Sequence, residues 1–390
     1  MRLRSVVLAA LAAMTFGMSG CVAAPAPTSS PDAVHSSAAP SLPAALGPSP
    51  TPDPIAGLSL EQKVGQLFMV GTPVDRAAKR TLAAVQKRHV GGVFLHGRSD
   101  AGVTAIAKVT ARFERAAAKA AVPLWIATDQ EGGAVQVLQG RGFDRIPAAR
   151  EQGDADAVRA DAARWGAQLR KAGVTMNLAP VADIVTSPEE ARRNAPIGEL
   201  WREYGYDRET VAARAGAFAE GMREAGVVPT FKHFPGLGRV EGNTDYSADV
   251  IDTRVGPRSP DVQVYRELTA SGPSVVMVGT AAYEKLDPGV PAAFSHAIVT
   301  DLLRDEIGFD GVVITDDLSA TAQVRSIDPA KRAVRAVAAG VDIVLVSADP
   351  KLLPEMYDAV VTKAEDDPGF ADKVDDAARR VLRAKQTPLP

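Results

Sequence analysis

Eight times between residues 67 and 346 the chain passes through a short, nearly continuous apolar stretch and then a longer amphipathic one rich in Ala and Arg. The apolar stretches are 67–70, 92–95, 124–128, 175–180, 229–232, 275–278, 312–315 and 343–346. Strands that are apolar at nearly every position must be buried on both faces, which requires a parallel sheet with helices packed against it. Eight β-α units over roughly 330 residues suit a closed (β/α)8 TIM-type barrel, an α/β fold in a single domain, better than an open doubly wound sheet, the structural alternative. The segments 186–207 and 236–255 are long for connections in such a fold and are expected to be functional insertions.

Ahead of the repeats the sequence changes character. Arg2 and Arg4 precede an apolar run too short to span a bilayer, and Met18-Ser19-Gly20 then leads to Cys21, the chain's one cysteine. This order reads as a lipoprotein export signal over residues 1–20, with Cys21 as the lipidated first residue of the mature protein; the alternative is a plain secretory signal. The expected location is the outer face of the bacterial cytoplasmic membrane, held there by the acyl chains on Cys21. Residues 21–54 continue as a Pro/Ala/Ser-rich tether, with 9 of the chain's 28 prolines between residues 22 and 54. They carry too little apolar surface to form a core. A capping-box pattern, Ser59-Leu60-Glu61-Gln62, marks where helical order is predicted to start, and the folded domain is placed at residues 55–390.

The charge balance, 44 Lys and Arg against 47 Asp and Glu for a net charge of -3, gives no electrostatic reason for a nucleic-acid partner. With a single cysteine, the exported domain has no internal disulfide and must be held by packing.

In a (β/α)8 barrel the reacting groups stand just beyond the C-terminal strand ends. Polar residues collect at four of these ends: Asp129-Gln130-Glu131-Gly132-Gly133, Asp183 after Asn177-Leu178-Ala179-Pro180, Lys232-His233, and Asp316-Asp317. One Asp after a strand is as easily a helix cap as a catalyst. Capping, however, does not call for Lys-His at a strand end followed by a Gly-rich loop with further polar side chains.

That loop, Lys232-His233-Phe234-Pro235-Gly236-Leu237-Gly238-Arg239-Val240-Glu241-Gly242-Asn243-Thr244-Asp245, resembles the signature of glycoside hydrolase family 3, in its β-N-acetylglucosaminidase branch. Gly308 to Ser319, with Ile314-Thr315-Asp316-Asp317, is similar to the family's nucleophile strand, and the similarity extends over essentially the whole folded domain. The resemblance implies that Asp316 is the nucleophile of a retaining glycosidase and that Asp317 supports its neighbour or caps a helix. It also implies that Asp129, Arg202, Lys232 and His233 bind the hydroxyls of the terminal sugar; for Arg202 a surface position is the alternative. A carboxylate nucleophile suits glycosyl transfer because it captures the oxocarbenium-like centre as an ester that water later opens.

Two positions depart from the family pattern. Where the family has Asp-(Ser/Thr)-His, with the His as acid/base, this chain has Asn243-Thr244-Asp245. Asp245 is then the expected acid/base and Asn243 its support, since a carboxylic acid serves if burial or the Asp316 charge raises its pKa. Ala134 stands where the family usually has Arg, which removes one charge from the pocket.

The spacing Gly236-Leu237-Gly238-Arg239-Val240-Glu241-Gly242 is wrong for a dinucleotide loop, and the dispersed histidines form no metal-ligand pattern, so neither metal nor cofactor is expected. His89, His96 and His296 read as structural or surface residues, Trp125 as core, and Trp201 as a side chain that could stack on sugar. The function implied is a retaining exo-β-N-acetylglucosaminidase acting on peptidoglycan-derived sugars or muropeptides, as a monomer. The alternatives are a β-glucosidase-type enzyme of the same superfamily and an inactive muropeptide-binding lipoprotein.

Overall fold

The computed structural model describes residues 53–389; Cys21, the export signal and nearly all of the proposed tether lie outside them. Ser59 opens the first helix, Leu60–Gln66, as the sequence pattern requires: its hydroxyl accepts from the Gln62 N–H at 3.3 Å, and the Gln62 side chain accepts from the Ser59 N–H at 2.9 Å.

Eight parallel strands follow: β1 (Phe68–Pro73), β2 (Gly92–His96), β3 (Trp125–Thr128), β4 (Met176–Asn177), β5 (Val228–Phe234), β6 (Val275–Val278), β7 (Val312–Thr315) and β8 (Val344–Val346). They pair in the order β7-β6-β5-β4-β3-β2-β1-β8. A parallel bridge between Ile314 and Ile343, with the Thr315 N–H donating to the Ile343 carbonyl at 3.0 Å, joins β7 to β8 and closes the ring. The fold is the (β/α)8 barrel. The fourth strand is shorter than residues 175–180: the regular ladder covers only Met176–Asn177, and beyond it the Thr230 and Lys232 N–H groups donate to the Ala179 and Pro180 carbonyls at 2.9 and 3.3 Å while Val181 bridges to Lys232.

Alternation along each strand explains why these runs look uniformly apolar. Met69, Phe94, Trp125, Ala127, Met277 and Ile314 point into the barrel, while Phe68, Val70, Val93, Ile126, Val276 and Val313 pack outward under the helices. The last helix, Pro368–Gln386, adds Val381 and Ala384 to the interior cluster. Its Lys385 ammonium donates to the Gln66 side chain and the Gly91 and Pro123 carbonyls at 2.7–3.0 Å, which ties the helix across the N-terminal end of the barrel. The 186–207 and 236–255 segments follow β4 and β5 at the opposite, C-terminal end, where a (β/α)8 barrel carries its reacting groups.

Candidate active site

Asp129 follows β3, and a short hairpin pairing Gln130–Gly132 with Val135–Gln136 turns the chain back immediately after it. Gly132 at the turn has φ +110°, and a Cβ there would lie 2.1 Å from the Pro147 carbonyl oxygen, so no other residue fits. The hairpin drives Glu131 inward, where it is 5 % exposed. Lys232, near the end of β5, donates to Asp129 at 2.7 Å and to Glu131 at 2.6 Å. Arg202, from the 186–207 segment, grips Glu131 with two parallel bonds of 2.8 Å and also reaches the Pro196 carbonyl at 2.7 Å. Two cations and two carboxylates thus form a charge-balanced cradle. Burial alone would raise the Glu131 pKa, but the charges of Arg202 and Lys232 more than reverse this and hold it at about 2. Burial pushes Lys232 down, and the charges of Asp129 and Glu131 overcome this to leave it raised.

Successive residues of a regular strand face opposite ways, yet Lys232 and His233 both line the cleft. A register shift against β6 between Lys232 and Phe234 breaks the alternation. Asp183 then fixes His233: one carboxylate oxygen meets His233 Nδ1 at 2.7 Å, and the other accepts the His233 and Leu237 N–H groups at 3.2 and 2.7 Å. With Nδ1 donating to a carboxylate, Nε2 is the ring atom left for a ligand.

Asp316 caps β7. Its N–H donates to the Val278 carbonyl at 2.9 Å and its carboxylate accepts the Asp317 N–H at 2.8 Å. Asp317 plays a different part, accepting from the Ser319 hydroxyl at 2.6 Å and from the Ser347 N–H at 2.8 Å, and so binding the end of β7 to the end of β8. The 236–255 loop crosses to meet this segment. The Ala322 N–H donates to the Asp245 carbonyl at 3.3 Å, the Gln323 N–H to the Thr244 carbonyl at 3.1 Å, and the Thr321 hydroxyl to the Asp245 carboxylate at 3.4 Å. Gln323 also bonds both the N–H and the carbonyl of Val250, at 2.7 and 3.2 Å. The loop after β5 is therefore stitched to the loop that bears Asp316.

Asp245 is pushed up to about 6, first by the protein walls that desolvate it and then by the charge of Asp316; His233 and Arg202 oppose the shift. Its surface still reaches solvent, so the open cleft screens part of this effect, and a sugar filling the cleft would complete the desolvation. Asn243 departs from expectation. Its side-chain oxygen accepts the Asp245 main-chain N–H at 2.9 Å, so the support it gives is to the backbone turn that presents Asp245 rather than to the carboxyl group.

All seven residues assigned from the sequence to catalysis or sugar binding, Asp129, Arg202, Lys232, His233, Asn243, Asp245 and Asp316, line one open cleft of about 960 Å³ at the C-terminal end of the barrel. Arg202 is drawn into it rather than left on the surface. His96, read as structural or surface, also lines it, as does Tyr246, which is 85 % exposed. Trp201 stacks instead with the Arg150 guanidinium, 5.2 Å from its ring centroid, and Trp125 belongs to the barrel interior. Glu131 and Asp183 were visible at strand ends, but neither carried a role until its partners across the barrel were known. Among the described residues, no group of three or more His, Cys, Asp or Glu side chains is arranged to hold a metal ion.

Residues 59–384 match the family described as the glycosyl hydrolase family 3 N terminal domain. The chain belongs to that family. As a family 3 glycoside hydrolase it is 37% identical over 356 residues to the β-hexosaminidase LpqI of Mycobacterium tuberculosis, covering 87% of this chain and 86% of the relative. The crystal structure of a β-N-acetylhexosaminidase from Beutenbergia cavernae superposes with a TM-score of 0.83 at 55% identity, over 85% of this chain and all of that one. A family 3 β-N-acetylglucosaminidase from Paenibacillus sp. gives a TM-score of 0.77 at 33% identity, over 85% of this chain and 62% of that longer one.

Proposed function

We propose that this family 3 hydrolase is a retaining exo-β-N-acetylglucosaminidase that removes terminal N-acetylglucosamine from peptidoglycan fragments. The observation that carries the reading is the pairing of two carboxyl groups of unlike environment, Asp316 and Asp245, in one cleft beside a charged cradle. The names of the relatives support the choice of sugar. Asp129, Lys232, Arg202 and His233 hold the hydroxyls of the terminal ring. The Asp316 carboxylate attacks the anomeric carbon while the Asp245 carboxylic acid gives its proton to the departing glycosidic oxygen. A glycosyl ester on Asp316 results. Asp245, now a carboxylate, takes a proton from water, whose oxygen opens the ester with a second inversion, so the configuration is retained and both carboxyl groups return to their starting states.

The test is turnover of aryl β-N-acetylglucosaminide against aryl β-glucoside, alongside Asp245→Ala. Wild type should favour the acetamido sugar. Asp245→Ala should lose roughly 10²–10⁴-fold on a poor leaving group and much less on an activated one, with azide restoring turnover of the activated substrate. Properly folded wild type that turns over neither substrate would sink the reading and leave binding as the function.

Two pH effects follow from the raised Asp245 pKa. In wild type, kcat/KM for a poor leaving group should fall as pH rises through about 6, when Asp245 loses the proton it must donate, and this limb should be absent from Asp245→Asn. Folded Asp245 also holds its proton more tightly than the unfolded chain does, so above pH 6 its charge opposes folding. Asp245→Asn should therefore raise Tm at pH 7.5, with the gain shrinking between pH 6 and 4; an unchanged or lower Tm at pH 7.5 would contradict it.

Export and lipidation at Cys21 complete the proposal, since wall fragments are met outside the membrane. Partition of the full-length protein into detergent, lost in Cys21→Ala, is the expected result.

A further inference from the structure

Among the described residues one side chain, Thr321, is within hydrogen-bond distance of the Asp245 carboxyl group, at 3.4 Å, while Asn243 spends its oxygen on the Asp245 main-chain N–H. Thr321 is 2 % exposed, and its hydroxyl also reaches the Asp317 carbonyl at 2.6 Å. One hydroxyl hydrogen therefore faces two acceptors. With Asp245 ionised, that hydrogen is divided between a carbonyl at 2.6 Å and a carboxylate at 3.4 Å, and the longer bond is weak. With Asp245 protonated, its O–H can donate to the Thr321 oxygen while the Thr321 hydrogen goes wholly to Asp317, and every group in the row is satisfied.

The row is rooted at both ends. Ala322 and Gln323, the two residues after Thr321, donate their N–H groups to the Asp245 and Thr244 carbonyls, so main-chain bonds set the distance between Thr321 and Asp245. At the other end the Asp317 carboxylate accepts from Ser319 and Ser347, which fixes the residue whose carbonyl Thr321 meets. The charged groups around Asp245 act through space. Asp316 and Asp317, after β7, favour its protonated form, while His233 from β5 and Arg202 from the 186–207 segment oppose it. Arg325, on the same segment as Thr321, turns its guanidinium to the Ala320 carbonyl. Thr321 differs from all of these in being uncharged and in meeting the carboxyl group directly.

We propose that Thr321 is a positioning residue that holds Asp245 in its protonated form, accepting the carboxyl O–H and passing its own hydrogen to the Asp317 carbonyl. The inference rests on the function proposed above and adds to it how the acid is kept ready. In the first step the glycosidic oxygen takes the proton from Asp245 as its bond to the anomeric carbon breaks and the ester with Asp316 forms. Asp245 is then a carboxylate facing a hydroxyl whose hydrogen is mostly committed to Asp317, which makes it the stronger base. Water gives a proton to Asp245 as its oxygen opens the ester, and the bond to Thr321 is restored. One uncharged group thus favours proton retention before the first step and proton uptake in the second.

The experiment is the pH dependence of kcat/KM for an N-acetylglucosaminide with a poor leaving group, in wild type, Thr321→Val and Thr321→Ser. Valine keeps the shape but cannot accept a hydrogen bond; serine keeps the hydroxyl. The alkaline limb should move to lower pH by about half to one unit in Thr321→Val, the effect of one net hydrogen bond, and stay in place in Thr321→Ser. On that limb kcat/KM should drop by roughly three- to tenfold in Thr321→Val, with a much smaller loss on an activated aryl leaving group, which needs little help from an acid. The position of a limb does not depend on how much of the protein is active, so partial misfolding leaves the readout intact, and Thr321→Ala serves should valine not be accommodated. A limb that stays in place in the variant lacking the hydroxyl would leave Thr321 a packing role only, and one that moves to higher pH would mean that the hydroxyl donates to the carboxylate; either overturns the inference while the glycosidase reading stands. A wild type without an alkaline limb, or Asp245→Asn retaining one, would remove Asp245 as the acid and the inference with it.

Discussion

Asp316→Ala is expected to lower kcat on aryl β-N-acetylglucosaminide by at least roughly 10⁴-fold while leaving the fold intact, because under the proposed mechanism it removes the nucleophile and with it a covalent step. The side chain is held only lightly by the protein. Among the described residues its single side-chain hydrogen bond is to the Asp317 N–H, a donor beside the open cleft, so removal leaves no buried partner stranded. Asp317→Ala should differ in kind. Its carboxylate accepts from Ser319, Ser347 and Ala348, and deleting it unties β7 from β8. Steady-state kinetics beside thermal unfolding separate the two, and a slow fluorinated N-acetylglucosaminide should label wild type on the peptide bearing Asp316. Near-normal kcat in Asp316→Ala, or label found elsewhere, would place the nucleophile at another residue.

Glu131→Ala is expected to cost about 3–5 kcal/mol of stability, the range for removing one partner of a buried ion pair, and to weaken sugar binding as well. Lys232 would keep only Asp129, and Arg202 only a carbonyl, inside a site built for two carboxylates. A chemical-denaturation midpoint and KM measured together test this; loss of neither would mean that the cradle is not an energetic unit. The same group sets an acid limit. Because Arg202 and Lys232 hold the folded Glu131 pKa below its ordinary value near 4.5, the stability that this carboxylate contributes is fully present above pH 4.5 and is lost progressively as pH falls toward about 2. Wild type should therefore lose stability over that interval more steeply than Glu131→Gln.

Much of this architecture was legible in one dimension because it rests on local rules. Strands buried on both faces must be apolar at consecutive positions, so 275–278 and 312–315 coincide with β6 and β7 residue for residue. Strand 175–180 kept only two residues in regular pairing, although cross-strand bonds continue irregularly through Pro180. That these polar residues gather in one cleft was also within reach, since a closed barrel places every C-terminal strand end on one face.

Pairing was not legible. The Lys232–Asp129 bond joins residues 103 apart and the Arg202–Glu131 bonds residues 71 apart, and no periodicity specifies which cation meets which anion. Asn243 shows the same limit from the other side: its position beside Asp245 was plain, but whether its amide reaches the carboxyl or the backbone depends on how the loop turns.

The sequence by itself determined the barrel, its family, and which side chains stand at the strand ends, because burial and turn chemistry act over a few residues. Only the tertiary structure decided that the loop after β5 is bonded to the loop after β7, that Glu131 is locked in a four-charge cradle, and that Asp183 orients His233. Those outcomes depend on desolvation and on distances between distant segments, and these come into existence only when the ring of strands closes.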